Sequence, residues 1–211
     1  MRTRLVVAAG TAAMVVGLAG CVSLKRTPEA RFFVLRSLVE PPEAAVRPEP
    51  AGLVGVLPVR LPGHLERPQV VTWAGPGELR IDEYLRWAEP IDTGVTRTLA
   101  ENLDALLPAH PVIRSPWPAA VVPFCRVRVD LYVFGLQESG EVRLEGQWLL
   151  LPGKGERPLA HRSTSLRRAL PAATSGGDAA TGGVEAMSAL LADLAKEIAA
   201  AVETLPAEEE K

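Results

Sequence analysis

Two runs of alternating apolar and polar residues, joined by a short turn, constrain the fold of this chain more than any other feature. The apolar positions of the first run are Cys125, Val127, Val129, Leu131 and Val133, and those of the second are Val142, Leu144, Gly146, Trp148 and Leu150. Because successive side chains of a strand point to opposite faces, this period of two indicates strands with one buried face. Residues 138–140, Glu-Ser-Gly, are typical of a turn. The sequence therefore predicts a long antiparallel hairpin.

Shorter patterns predict the remaining elements. Runs of β-prone residues predict strands at residues 31–35, 53–59, 111–114 and 159–167, and a second hairpin that joins residues 70–73 to 78–81 through Ala-Gly-Pro-Gly. Apolar residues at helical spacing predict two helices, at residues 95–107 and 184–204. The glycine pairs within residues 174–183 predict a flexible connector before the second helix.

The order of these elements predicts the fold class α/β, of the α+β kind. We expect a two-layer sandwich in which a mostly antiparallel sheet carries two main helices on one face. A chain of 211 residues with 47% apolar residues is long enough for one packed core. We assign residues 30–205 to this single domain and residues 206–211 to an acidic tail.

The first twenty residues have the three parts of a secretory signal peptide. Two arginines precede an uncharged run at residues 5–19, which is shorter than the ~20 apolar residues of a membrane-spanning helix. Residues 18–21, Leu-Ala-Gly-Cys, resemble the lipobox of bacterial lipoproteins, which implies cleavage after residue 20 and acylation of Cys21. Residues 21–29 then form a tether. Lipoproteins kept in the inner membrane generally have aspartate after the cysteine, so Val22 implies lipid anchoring in the outer membrane, on the periplasmic side.

Other classes of site receive little support from the residues. A net charge of −2 disfavours nucleic acid as a partner, because binding to phosphates needs a basic surface. His64, His110 and His161 show no metal-ligand spacing, and no nucleophile motif is present. We therefore expect no metal, no cofactor and no enzymatic activity. Cys125 lies in a predicted strand and is expected to be a buried, unreactive thiol.

Two proline-rich segments, residues 57–71 and 84–90, combine rigid backbone with amphipathic side chains. Because proline reduces the entropy that a loop loses on binding, this combination favours recognition of a partner. The candidate partner-binding residues are Arg60, Leu61, Leu65, Arg67, Gln69, Trp87 and Glu89. An equally supported interpretation is that Leu61, Leu65 and Trp87 only cover the edge of the sheet.

Four motifs occur along the chain in a fixed order: RLPGHLERPQ at residues 60–69, RWAEPI at 86–91, LAENLDALLP at 99–108 and SPWP at 115–118. With the lipobox they resemble the PqiC-like ABC-type transport auxiliary lipoproteins over residues 32–201. The resemblance implies an outer-membrane lipoprotein that faces the periplasm and works with an inner-membrane transporter subunit bearing MCE domains. Such systems move lipids between the two membranes and support envelope integrity.

Alternatives to a docking or conduit subunit remain open at this point. One is a free-standing periplasmic lipoprotein that binds lipid or another small ligand, and another is an enzyme that acts on lipids. The family has no established catalytic residues that could be transferred to this sequence. Self-association into a homo-oligomer also stays open.

Overall fold

Strands and helices alternate irregularly along the chain in the computed structural model, which describes residues 28–40, 51–170 and 177–206. The predictions for residues 1–20, for Cys21 and for residues 207–211 lie outside the described residues. The elements, in order, are β1 (Arg31–Phe33), β2 (Val54–Val56), β3 (Gln69–Gly75), β4 (Glu78–Trp87), α1 (Ile91–Leu106), β5 (Val112–Arg114), β6 (Cys125–Gln137), β7 (Glu141–Pro152), β8 (Ala160–Ala169) and α2 (Gly177–Glu203).

The predicted long hairpin is confirmed as the antiparallel pair of β6 and β7. Its ladder extends from Cys125 opposite Pro152 to Leu136 opposite Val142. Gly140 closes the turn with a φ of 78°, a left-handed conformation that glycine adopts without a steric penalty. Strand β8 continues the sheet by pairing antiparallel with β7 along its whole length.

A β-bulge at Tyr132 changes which residues of β6 face the core. The register shifts between Leu131 and Val133, so the buried series continues at Phe134 instead of Val133. The predicted burial of Val133 is therefore wrong, because strict alternation ends at the bulge. On β7, a Cβ at Gly146 would collide with the carbonyl oxygen of Asp130. Glycine is thus required where the two strands come closest.

The other edge of β6 is shared by two strands. Strand β2 pairs parallel with its beginning and β3 pairs parallel with its end, while Arg60 forms a single parallel bridge to Asp130 between them. Strand β5 extends the sheet beyond β2, and β4 and β1 extend it beyond β3. The result is a mixed eight-stranded sheet, curled into a half-barrel, with two helices, which confirms the α+β class. The longest ladders are antiparallel, and the short strands join in parallel.

The two helices pack against each other, and α2 also packs against β6, β7 and β8. The predicted apolar stripe of α2 is confirmed, since all its members are buried: Val184, Met187, Leu191, Leu194, Ile198 and Val202. The predicted connector is wrong for residues 177–183, which belong to the helix. A Cβ at Gly183 would lie 3.3 Å from Leu136, so the glycine permits close packing of the helix instead of flexibility. Residues 174–176 lie outside the described ranges.

Cys125 is buried in the core, as expected, and is the free cysteine of the described chain. Burial raises the pKa of its thiol to about 12. The reactive thiolate is therefore not populated at neutral pH, which is the behaviour of a structural cysteine.

Asn102, fully buried in α1, fixes the segment that follows β1. Its Oδ1 accepts hydrogen bonds from Ser37 Oγ at 2.9 Å and from the backbone N–H groups of Leu38 and Val39, each at 3.1 Å. Its Nδ2 donates to the carbonyl of Thr98 at 2.9 Å. The Asn102 side chain thus provides an acceptor for two backbone N–H groups that lie outside any strand or helix.

Substitution of Asn102 by alanine is expected to lower the free energy of unfolding by about 2–4 kcal/mol, because two backbone donors lose their acceptor together. Chemical denaturation measures the change. Ser37→Ala is the matched control, since it removes one donor and leaves the amide in place, and it should cost no more than about 1.5 kcal/mol. Equal losses for the two variants would contradict this role of the asparagine.

Candidate functional site

The loop between β2 and β3, residues 57–68, is held against the sheet by its own backbone. Leu57 N–H donates to the carbonyl of Val127 at 3.0 Å, and Arg60 exchanges backbone hydrogen bonds with Val129 and Leu131 at 3.0 and 2.9 Å. Val59 N–H donates to Thr96 Oγ1 in α1 at 2.9 Å. The loop is therefore anchored on both the sheet and the first helix, and its side chains are presented from a fixed backbone.

Two of the candidate partner-binding residues belong to the core. Leu65 is 5% exposed and Trp87 is 8% exposed. Trp87 stands opposite Phe33 in the parallel pair of β4 and β1, and its backbone N–H donates to the carbonyl of Pro68 at 2.7 Å. The expectation that these two side chains present themselves to a partner is wrong, because both fold inward beneath the loop. Their side chains pack in the core beneath the loop.

Four of the five remaining candidates, Arg60, Leu61, Arg67 and Glu89, line two adjoining grooves, and Gln69 lies in the wall of neither. The first, of about 580 Å³, has Arg60, Leu61 and Arg128 in its wall. The second, of about 510 Å³, is lined by Arg67, Pro68, Glu89, Pro90 and part of Trp87. Both grooves include Glu66 and Asp92. We call them the Arg60 groove and the Arg67 groove, and their shared wall makes them one continuous surface.

Sequence reasoning did not assign Arg128, Glu66 or Asp92 to this surface. Arg128 occupies an outward position of the alternating run in β6, and that pattern identifies it as exposed without telling which loop lies beside it. Glu66 was within the motif and Asp92 directly follows another. Only the tertiary fold, which brings α1, β6 and the loop together, places the three residues in one groove.

Glu89 belongs to a charge network instead of standing free. Its Oε1 accepts a hydrogen bond from the Arg97 guanidinium at 2.6 Å, and the same guanidinium donates to the carbonyl of Leu35 at 2.7 Å and to Glu101 at 3.0 Å. The hydrogen bond that Arg97 donates to Glu89 is the main cause of the raised pKa of Arg97. Glu89 therefore has its charge compensated within the chain.

Arg67 differs from the other arginines of this surface. Its Nε is buried and has no hydrogen-bond partner among the described residues, and no carboxylate of these residues forms an ion pair with it. Arg60, by contrast, lies 3.7 Å from Asp130, and Gln69 donates to Glu83 at 2.9 Å. Arg67 thus presents a partly buried guanidinium to the groove, with no carboxylate partner among the described residues.

The three histidines have separate surroundings. The ring of His64 meets the ring of Trp73 edge-on with centroids 5.1 Å apart, and His110 stacks on Phe124 at 5.5 Å. His161 Nε2 lies 3.2 Å from Gln147 Oε1 on the sheet surface. Within residues 28–40, 51–170 and 177–206, no group of three or more His, Cys, Asp or Glu side chains is placed to hold a metal ion.

A third cavity, of about 790 Å³, lies between the sheet and the beginning of α2. We call it the α2 cleft. Its apolar wall includes Val70, Leu85, Leu136, Val184 and Met187. Polar groups stand at its edge: Arg80 forms an ion pair with Glu138 at 2.7 Å, and the buried Nε2 of Gln137 has no hydrogen-bond partner in the described part of the chain.

The half-barrel sheet and its two helices define a small α+β domain whose notable surfaces are loop-lined grooves. The chain belongs to the family of ABC-type transport auxiliary lipoprotein components, whose model matches residues 33–199. This match confirms the family resemblance drawn from the four motifs. Membership of a lipoprotein family indicates attachment to a membrane of the cell envelope. No helix of the described chain is long and apolar enough to span a membrane.

Solved structures of the same fold are distant in sequence. Protein XCC0632 from Xanthomonas campestris is 16% identical, with a TM-score of 0.66 over 82% of this chain and 97% of that protein. An uncharacterized protein is 23% identical, with a TM-score of 0.65 over 83% of this chain and 99% of its own length. Among curated proteins, none matches this sequence. The two structures support the fold alone.

Proposed function

We propose that the protein is the outer-membrane lipoprotein of an MCE-type system for lipid transport between membranes. In this role it acts without catalysis, as a periplasm-facing docking or conduit subunit for the inner-membrane subunit that bears MCE domains, and so supports envelope integrity. The family of transport auxiliary lipoproteins supports the general role. The observation that carries the docking role is Arg67 in its groove, where no carboxylate of the described residues pairs with its guanidinium.

The guanidinium of Arg67 offers its charge to a partner. Its Nε is enclosed, whereas its Nη groups are not among the buried unpaired atoms and can be reached from the groove. A carboxylate that a partner places in the Arg67 groove would form a charge-assisted hydrogen bond there, and no carboxylate of the described residues competes for it. Arginine beside a buried tryptophan is also typical of the few residues that dominate an interface. The rigid loop lowers the entropy that docking costs.

Lipid anchoring is proposed from the lipobox and the lipoprotein family. The acyl chains on Cys21 would hold the domain at the outer membrane, since several chains on one residue give durable attachment whereas a single one gives marginal binding. Cys21→Ser is therefore expected to leave the precursor uncleaved or to shift the protein out of the outer-membrane fraction. Density-gradient fractionation and immunoblotting measure this. Normal fractionation of the variant would refute the anchor.

Docking is tested with the purified full-length protein in detergent and the MCE-domain subunit. Arg67→Ala is expected to weaken binding at least about thirtyfold, which corresponds to loss of ~2 kcal/mol at an interface anchor. Its unfolding midpoint should stay unchanged, because Arg67 makes no side-chain hydrogen bond within the described chain. Affinity and the unfolding midpoint are measured on each variant.

Two further variants serve as controls for this experiment. Arg157→Ala removes an exposed arginine that lines neither groove, in the loop between β7 and β8, and should leave binding unchanged. Trp87→Ala should lower the free energy of unfolding by about 3–5 kcal/mol, as for other large core side chains. If Arg67→Ala and Arg157→Ala bind equally well, the docking surface does not lie at the Arg67 groove.

The α2 cleft favours a second candidate function, that of a free-standing lipoprotein that binds lipid or another small ligand. Its volume falls within the range of ~300–1,000 Å³ that is usual for ligand sites. An apolar wall with the unpaired amide of Gln137 at its edge suits an amphipathic molecule that ends in an acceptor group.

If the cleft holds a lipid, Ala169→Trp should reduce the amount of lipid that co-purifies with the monomer. Ala169 is an exposed residue of the cleft wall, so the indole would fill the cavity without disturbing the core. Extraction followed by mass spectrometry measures lipid per chain. Ala119→Trp, at an exposed position outside the cleft, is the control. Equal lipid in both variants, or none in the native protein, would exclude this function for the cleft.

A further inference from the structure

Large apolar side chains are exposed along one end of the sheet, on and beside β1 and β4. The exposed fractions are 64% for Phe32, 51% for Val34, 38% for Ile81 and 37% for Tyr84. We call these four residues the β1–β4 patch. A β-strand normally keeps large apolar side chains on its buried face, and Phe33 and Trp87 do so here. The outward-pointing members therefore need a separate explanation.

The register of the strands places Phe32 and Tyr84 on the same face. Phe32 stands opposite Arg86, and Tyr84 lies two residues before Arg86 on β4. Residues two apart share a face of a strand, and diagonal neighbours on adjacent strands are close enough for aromatic side chains to touch. This is the face opposite to the one on which Phe33 and Trp87 enter the core.

An irregularity in β4 explains why Ile81 joins this face. Gln69 stands opposite Arg86, whereas Val71 stands opposite Ile81, so β4 has three more residues than β3 between these pairs. The additional residues bend the strand outward between Asp82 and Leu85. Asp82 Oδ1 accepts from Tyr84 N–H at 2.8 Å and stabilises the bend. Glu83, the acidic residue beside Tyr84, is held by Gln69 at 2.9 Å.

The sequence tells how far this patch can be from a lipid anchor. Arg31, the first residue of β1, follows Cys21 by ten residues, which span at most about 33–36 Å when fully extended. The chain therefore enters the domain at the strand that carries Phe32. If Cys21 is acylated, as in the proposed function on which this step rests, the patch is the apolar surface nearest to the anchor along the chain.

We propose that the β1–β4 patch contacts the surface of the bilayer in which Cys21 is anchored. Tyr84 suits the interfacial layer of a bilayer, where tyrosine is enriched because its ring is apolar and its hydroxyl is polar. Phe32 adds apolar area that a bilayer can bury. The contact adds a second attachment to the acyl chains and fixes the orientation of the domain on the membrane. The acyl chains alone would leave that orientation free.

The experiment uses the full-length acylated protein in vesicles of phosphatidylcholine, with a fluorophore on an engineered cysteine. Tyr84→Cys places the label in the patch, and Leu159→Cys places it at an exposed apolar position in the loop between β7 and β8. Cys125 does not compete for the label, because it is buried with a pKa of about 12. Replacing ordinary by brominated acyl chains should quench the label at position 84 and not at position 159.

Phe32→Glu in the Tyr84→Cys chain should abolish the quenching without changing the unfolding midpoint, because Phe32 is mostly exposed. Equal emission at position 84 in ordinary and brominated vesicles would overturn the proposal. So would quenching that requires anionic lipid, since the attraction would then be electrostatic. Shielding of the label in detergent that increases with protein concentration would assign the patch to a second copy of the chain instead.

Failure of this proposal is distinguishable from failure of the proposed function. Loss of anchoring would appear in the fractionation of the native protein, and loss of docking would appear in the affinity for the MCE-domain subunit in detergent. A chain that passes both tests and shows no quenching at position 84 would refute the bilayer contact alone.

Discussion

Strand β6 is the element on which the rest of the structure depends, because hydrogen bonds use both of its edges. One edge pairs with β7 from end to end, and the other is divided between β2, Arg60 and β3. The loop that carries Arg67 starts at one of these pairings and ends at another. Both ends of the loop are therefore held by β6, so the backbone that carries the groove-lining side chains is held in place by the sheet.

Arg97 connects this frame to the first helix and to the beginning of the domain. Its guanidinium joins the Leu35 carbonyl after β1, Glu89 after β4 and Glu101 in α1. Because this cation is only about a quarter exposed and all three contacts are direct, its removal would leave acceptors from three segments without a donor. The contact between Arg97 and Glu89 also fixes the position of Glu89 in the wall of the Arg67 groove.

The sequence predicts those parts of the fold whose pattern is local. Alternation identified the β6–β7 hairpin, and helical spacing identified the buried stripe of α2, since each pattern reports one face of one element. Three-residue strands such as β2 and β5 pair in parallel with residues far along the chain, so their partners could not be read from periodicity. The glycines at residues 182–183 predicted a connector because the close contact of Gly183 with Leu136 is tertiary and is not visible in the sequence.

The candidate site, too, was predicted from the sequence only in part. The motif at residues 60–69 located the loop correctly, but composition could not separate Leu65, which turns inward, from Leu61, which lines a groove. Their inward or outward direction depends on the turn at residues 62–65, where Leu65 N–H donates to the Pro62 carbonyl. Arg67 differs from the other arginines of this surface because its side chain has no partner within the described chain. The absence of a contact cannot be predicted from a sequence.

Strand β4 relates the two surfaces that the proposals concern. Tyr84 belongs to the β1–β4 patch, and Trp87, three residues later, forms part of the Arg67 groove. The backbone N–H of Tyr84 donates to Asp82 Oδ1 at 2.8 Å, and the next three residues, Leu85 to Trp87, pair with β1, the strand that carries Phe32. An orientation imposed on the patch by a bilayer would therefore be transmitted to the groove through paired strands. Membrane contact at Phe32 and Tyr84 would thus determine the direction from which a partner reaches Arg67 beside Trp87.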